Sequence, residues 1–320
     1  GFRRCFVYHG RATLNRWRIH DNLMRNQEDL QRPVVPDLIA SCWTAAGNAD
    51  ARGGKTPSPV DIRRRIEWAG ATGWKGFGLL HADLVQAKGT IGLQTLKMLF
   101  DDNGIEHIEL EYLLDWWTTG PARAASDQVR HDLFEAAGPL QARHIKIGPG
   151  IKGVPVEPEI MKKSWGELCL SAEQAGVSLA LESAPYSYLP TVTSIVDLVT
   201  EVGNDSGGIL LDIWHVARSG MDYETMVHEV PPEILFGVEL NDAQNEIVGT
   251  LFEDTINCRE YCGEGSLDVT AFIHAIDEIG FSGPWGVEII SNAHRALPVK
   301  EGLARALNTT TRCFELASST

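Results

Sequence analysis

Eight charged or basic residues are candidates for a functional site, seven of them inside or at the end of short apolar runs, where an ionised group is costly unless something compensates it, and the eighth, Arg259, in a loop. They are Glu111 in "IEHIELEYL", Lys146 in "ARHIKIG", Glu182 in "VSLALES", Asp212 and His215 in "GILLDIWHV", Glu239 in "FGVELND", Arg259 in "CREYCGEGSLD" and Glu288 in "GPWGVEII". Carboxylates gathered in one space cannot all ionise without a cation. A divalent metal held by Glu182, Asp212, Glu239 and Glu288 is therefore the chemistry this pattern suggests. All-oxygen ligation favours Mn²⁺ or Mg²⁺, with Co²⁺ or Zn²⁺ as borderline alternatives. His215, three residues after Asp212, is spaced to turn toward a substrate oxygen or to serve as an alternative ligand. Arg259 is expected to clamp an oxyanion or neutralise the acidic group, and Lys146 and Glu111 complete the candidate substrate-binding set. Taken singly, each carboxylate reads equally well as a helix cap or an arginine's partner; four on successive strands favour the metal.

The elements that must position these residues follow from hydrophobic periodicity. From residue 37 onward, short runs rich in β-branched residues alternate with stretches of helical period. Strands are expected at 38–43, 76–80, 105–113, 142–148, 177–183, 208–213, 235–241 and 283–290. Helices are expected at 58–72, 91–103, 121–138, 159–176, 193–203, 221–230, 268–280 and 299–317, several of them ending at Gly as a C-terminal cap should. Eight strands alternating with eight helices predict an α/β fold of the (β/α)8 TIM barrel type, whose active site lies at the C-terminal strand ends. An open doubly wound sheet is the alternative, but no GxGxxG follows the first strand. The carboxylates of strands five to eight would then share one mouth.

Residues 1–34 stand apart as an Arg-rich N-terminal extension, with seven Arg, no Lys and three acids, and residues 35–320 form the barrel. The net charge of -15 and pI near 5.1 argue against nucleic acid as a partner. No run of 18 apolar residues makes a membrane span, and no apolar stretch follows the first arginines as in a secretory signal. A cytoplasmic protein acting on a small molecule is expected. Six cysteines without a CxxC pair indicate neither a disulfide framework nor a zinc knuckle, and the "CREYC" spacing of Cys258 and Cys262 is read as two free thiols.

Of His144 and Lys146 on strand four, only one is expected to face the barrel interior, and Lys146, nearer the mouth, is preferred. Trp43 and His81, after strands one and two, are candidates for the pocket wall or for plain packing, as are Trp116 and Trp117 for stacking on a sugar ring.

On "LALES", "LLDIWH", "GVELND", "REYCGEGSLD" and "WGVEII", residues 37–317 resemble the xylose-isomerase-like TIM barrel superfamily, which includes sugar phosphate isomerases and epimerases, ketose 3-epimerases, inositol-catabolic isomerases and dehydratases. The resemblance implies that Glu182 and Glu288 bind metal and also act as the acid/base pair, that Asp212 binds metal and that His215 contacts substrate. Glu239 departs from the pattern, since relatives usually carry a histidine ligand there, and an all-carboxylate site is closer to xylose isomerases proper. The expected function is a metal-dependent isomerase or epimerase of a sugar or polyol-like carbonyl compound, acting by proton abstraction through a metal-stabilised enediolate. The alternative is a lyase or dehydratase acting on a keto sugar, a 3-keto glycoside or a related cyclic polyol. A barrel with a decayed site, serving as a binding protein, and a histidine-rich abasic-site endonuclease fit less well. The resemblance also implies a homo-oligomer.

Overall fold

The computed structural model describes residues 35–319 apart from 53 and 154; the Arg-rich extension at 1–34 lies outside the described residues. Eight parallel strands close into a barrel: β1 (Leu38–Ala40), β2 (Gly76–Leu80), β3 (His107–Leu113), β4 (Ile145–Ile147), β5 (Leu179–Glu182), β6 (Gly207–Asp212), β7 (Leu235–Leu240) and β8 (Trp285–Val287). Neighbours around the ring follow chain order, and β8 pairs β1 to close it. The expected (β/α)8 architecture is present.

Among the described residues, twelve α-helices surround the strands: α1 (Ile62–Thr72), α2 (His81–Thr90), α3 (Leu93–Asp102), α4 (Gly120–Leu140), α5 (Pro158–Ala175), α6 (Val192–Val202), α7 (Ile213–Ser219), α8 (Tyr223–Glu229), α9 (Leu251–Asn257), α10 (Val269–Ile279), α11 (Asn292–Arg295) and α12 (Val299–Ala317). Glycines in the left-handed conformation stop α1, α5, α6 and α10, as the sequence anticipates. α4 runs past its expected end at residue 138 because Pro139 falls in the last turn, where its missing N–H forfeits one bond only. The helices α2, α7, α9 and α11 were not anticipated. Two of them, α2 and α7, start directly at a strand end with no intervening turn residues to announce them. No helix among the described residues is long and apolar enough to cross a membrane.

Strands one, four and eight are shorter than expected, although backbone hydrogen bonds from Arg143, Gly148 and Glu288 to neighbouring strands continue beyond β4 and β8. Cys42 and Trp43, just past β1, join a separate apolar cluster with Leu80, Ile256 and Ile290. One expectation needs correcting. Residues i and i+2 of a strand point to the same face, so His144 and Lys146 both project inward. His144 lies one layer deeper, with Nε2 3.5 Å from Glu109 Oε1.

Beneath the β2 side of the barrel, Arg65 of α1 donates from both terminal nitrogens to Asp83 Oδ2 of α2 at 2.8 Å, and Asp83 Oδ1 accepts from Ser58 N. Both side chains are buried. Removing one member strands the other charge in the core, so Arg65→Met is expected to cost about 3–5 kcal/mol. Urea denaturation measures this, and an unchanged midpoint would show that the pair is not structural.

Candidate active site

The expected site residues converge at the C-terminal mouth of the barrel. Glu182 and Asp212 are the last residues of β5 and β6, Lys146 and Glu239 are the penultimate residues of β4 and β7, Glu111 lies two residues before the end of β3, and Glu288 follows β8. Glu182, Asp212, Glu239 and Glu288 each offer an oxygen within 4.8 Å of the others. Room for long charged side chains comes from small inward residues. A Cβ at Gly78 would stand 2.2 Å from Glu111 Oε1, and one at Gly286 would stand 2.7 Å from Glu239 Cγ. The Glu239 chain thus lies across β8 and reaches β1, where Ser41 Oγ donates to its Oε1 at 2.5 Å.

Two buried cations of the chain knit the carboxylates together. Lys146 Nζ donates to both Glu239 oxygens at 2.8 Å and to Glu288 Oε1 at 3.0 Å, and lies 3.1 Å from Glu111 Oε2. Burial alone disfavours the ammonium, but the charges of Glu111, Glu239 and Glu288 outweigh it and hold the Lys146 pKa well above its ordinary value. Arg259 Nη1 meets Asp212 Oδ2 at 2.6 Å and Glu288 Oε2 at 2.9 Å, while its other nitrogens donate to Thr255 Oγ1. Of the two roles expected for Arg259, its contacts within the chain fit neutralisation. Asp212 also caps α7, accepting from Trp214 N and His215 N, and accepts from Asn241 Nδ2 at 2.9 Å.

Glu182 differs from its neighbours. Among the described residues it has no Lys or Arg within ion-pair distance, and its Oε1 is buried without a hydrogen-bond partner. Burial, reinforced by the charges of Glu288 and Asp212 against those of Lys146 and Arg259, pushes its pKa up to about 8. His215 lies beside it, with Nε2 3.6 Å from Glu182 Oε1. Burial and the Arg259 charge hold His215 well below the usual histidine range, so its imidazole is neutral. Nε2 faces Arg259 Nη2 at 3.3 Å and acts as acceptor, which assigns the proton to Nδ1, a nitrogen without a partner.

A cleft of about 150 Å³ opens above this group. Its floor is Glu111, Lys146, Glu182, His215, Arg259 and Glu288, and its walls include Trp43, Tyr112, Tyr186, Phe252, Ile256 and Ile290. Trp43 therefore does line the pocket. His81 does not; it turns outward to Asp132 of α4 at 2.9 Å. Trp116 and Trp117 are buried against Trp165 and Tyr188 and do not reach the cleft. Cys258 and Cys262 are free thiols.

Sequence reasoning missed Ser41, Asn241 and, apart from Trp43, the aromatic wall of Tyr112, Tyr186 and Phe252, whose residue types carry no chemical signature. It also missed Asp242, although "LND" directly after β7 is a usable signal. Asp242 accepts from Gly263 N, Gly265 N, Leu267 N and Ala243 N, and so ties down the loop that follows Arg259.

Because the Glu239 side chain occupies the space over Gly286, Gly286→Ala is expected to destabilise the protein by about 1–3 kcal/mol through overpacking. Denaturant titration reads this out, and an unaffected midpoint would mean that Glu239 does not lie there.

A family model described as xylose isomerase-like TIM barrel matches residues 66–309. The chain is similar to the inosose isomerase of Bacillus velezensis, with 26% identity over 184 residues, covering 56% of this chain and 64% of that protein. It is also similar to a 3-dehydroshikimate dehydratase of Pseudomonas putida, with 25% identity over 137 residues, 42% of this chain and 21% of that protein. The matched segments span less than two thirds of these curated relatives' own length. The crystal structure of IolI protein with a binding zinc atom matches with a TM-score of 0.70 at 21% identity, covering 87% of this chain and 98% of that one, a likeness of fold.

Proposed function

The chain belongs to the xylose isomerase-like TIM barrel family, and from that premise we propose that it is a divalent-metal-dependent isomerase or epimerase of a sugar or polyol-like carbonyl compound. One observation carries the reading: four strand-end carboxylates converge within 4.8 Å of one another, and two of them, Glu182 and Glu288, form part of the floor of a cleft.

The donor set fits an ion. Five carboxylates (Glu111, Glu182, Asp212, Glu239 and Glu288) share two chain cations, and the buried, unpartnered Glu182 Oε1 marks where positive charge is still wanting. Glu182, Asp212, Glu239 and Glu288 would hold it. An all-oxygen set suits Mn²⁺ or Mg²⁺, and the zinc atom in the IolI structure supports a borderline ion as the alternative. When bound, the ion supplies Lewis-acid polarisation of a substrate carbonyl.

The chain's own residues do the rest. Glu182 and Glu288 rise from β5 and from the end of β8, so they reach a substrate seated between them from two sides. One takes the proton from the carbon next to the carbonyl; the same or the other returns a proton to complete the isomerisation. His215 lines the cleft beside Glu182 and is placed to contact substrate, and Lys146 and Arg259 stabilise the negative charge that develops on oxygen as the proton leaves. The similarity to a dehydratase supports a second outcome, in which the same abstraction is followed by loss of a β-leaving group.

Glu182→Gln and Glu288→Gln are each expected to lower kcat by about 10²–10⁴-fold while the protein stays folded. Near-normal turnover by both variants would remove the acid/base assignment. Run in deuterated water on a panel of inososes and keto sugars, an isomerase leaves a product of unchanged composition with deuterium on carbon, whereas a lyase leaves an unsaturated product. Chelation of the metal is expected to abolish both.

A further inference from the structure

The cleft is divided by chemistry. Its floor is ionic, but its upper wall belongs to the apolar cluster of Trp43, Leu80, Ile256 and Ile290, on which Tyr112 and Phe252 pack while remaining only partly buried. This cluster is separate from the main hydrophobic core, and the face it leaves uncovered lines the cleft. A file of rings leads up from the floor. Tyr186 stands 6.1 Å from His215 and 5.5 Å from Phe252, centroid to centroid, the latter pair edge to face. At the rim, Ile151 is 59% exposed, a large apolar side chain left uncovered beside the opening.

A bare cyclic polyol bears a hydroxyl on nearly every carbon and needs polar partners on all sides. Such a ring is matched by the floor, whereas above it, among the described residues, only Arg52, Thr255 and the hydroxyls of Tyr112 and Tyr186 offer polar side-chain groups beside the apolar surfaces of Trp43, Phe252, Ile256 and Ile290. An apolar group attached to the ring would instead cover that wall and gain its burial free energy.

We propose that the substrate is a sugar or cyclic polyol carrying an apolar, ring-sized substituent, with the polyol on the ionic floor and the substituent along Tyr186 and Phe252. This rests on the proposed isomerase or epimerase reading and narrows its substrate class. Phe252 is here a specificity residue that touches the substituent and takes no part in proton transfer.

The test uses the Mn²⁺-loaded full chain and two pairs of probes, the phenyl and methyl β-D-glucosides and the phenyl and methyl β-D-xylosides, with affinity measured by calorimetry. In at least one pair the phenyl compound is expected to bind at least about tenfold more tightly. Phe252→Ala should weaken that phenyl glycoside about fivefold or more and leave its methyl partner within about twofold. Equal affinities within both pairs, no measurable phenyl glycoside binding, or a phenyl preference untouched by Phe252→Ala would each overturn the proposal. The isomerase reading fails separately: a protein that exchanges deuterium into a free inosose or keto sugar yet shows no phenyl preference keeps the function and loses this inference.

Discussion

The site depends on one ammonium group. Lys146 Nζ sits among Glu111, Glu239 and Glu288 with almost no solvent contact. A single ion pair at about 4 Å and an effective dielectric near 20 is worth about 4 kcal/mol, comparable to the several kcal/mol needed to dehydrate an ammonium. One partner would therefore only break even, and three tip the balance. The converse also holds, because without Lys146 those three carboxylates would crowd one another at the barrel axis.

That arrangement sorts the acidic residues by what they already have. Glu239 is gripped on both oxygens by Lys146 and on one by Ser41; Glu288 bridges the chain's two cations; Asp212 is shared between Arg259 and the first turn of α7. Of the four clustered carboxylates, Glu182 is the one that keeps a buried oxygen without a hydrogen-bond partner, next to a neutral histidine. Chemically similar side chains thus become unlike through their neighbours, which is how one cleft separates groups that hold charge from groups that move protons.

Much of this was legible in the sequence. Ionised residues interrupting apolar runs marked the strand ends, and alternation of periods marked the barrel, because both signals are local. Partnership was not legible. Lys146 and Glu239 lie on strands three places apart around the ring, and only closure of the barrel brings β4 opposite β7. Glu239 read as a charge that needs a cation, and nothing in the sequence marked Lys146 as one of its partners. Ser41 and Asn241 gave no sign, since a serine after a strand and an asparagine before a loop are ordinary residues until the carboxylate they hold is known. His144 failed for a different reason: its parity with Lys146 places it inside, over Glu109, as strand geometry requires.

The hold of Asp242 on the loop beyond Arg259 bears on how the gene can change. Its carboxylate receives the N–H groups of residues 263, 265 and 267, every second one along the segment. Adding or deleting one residue there would present the intervening amides, rotated away from the acceptor, and would release the loop that follows Arg259. That stretch is therefore closed to changes of length. The exposed turn at 244–250 is held from elsewhere, by Arg218 donating to the carbonyls of Gln244 and Asn245 and by Asp254 accepting from Val248 N, so its length is set by a different pair of residues.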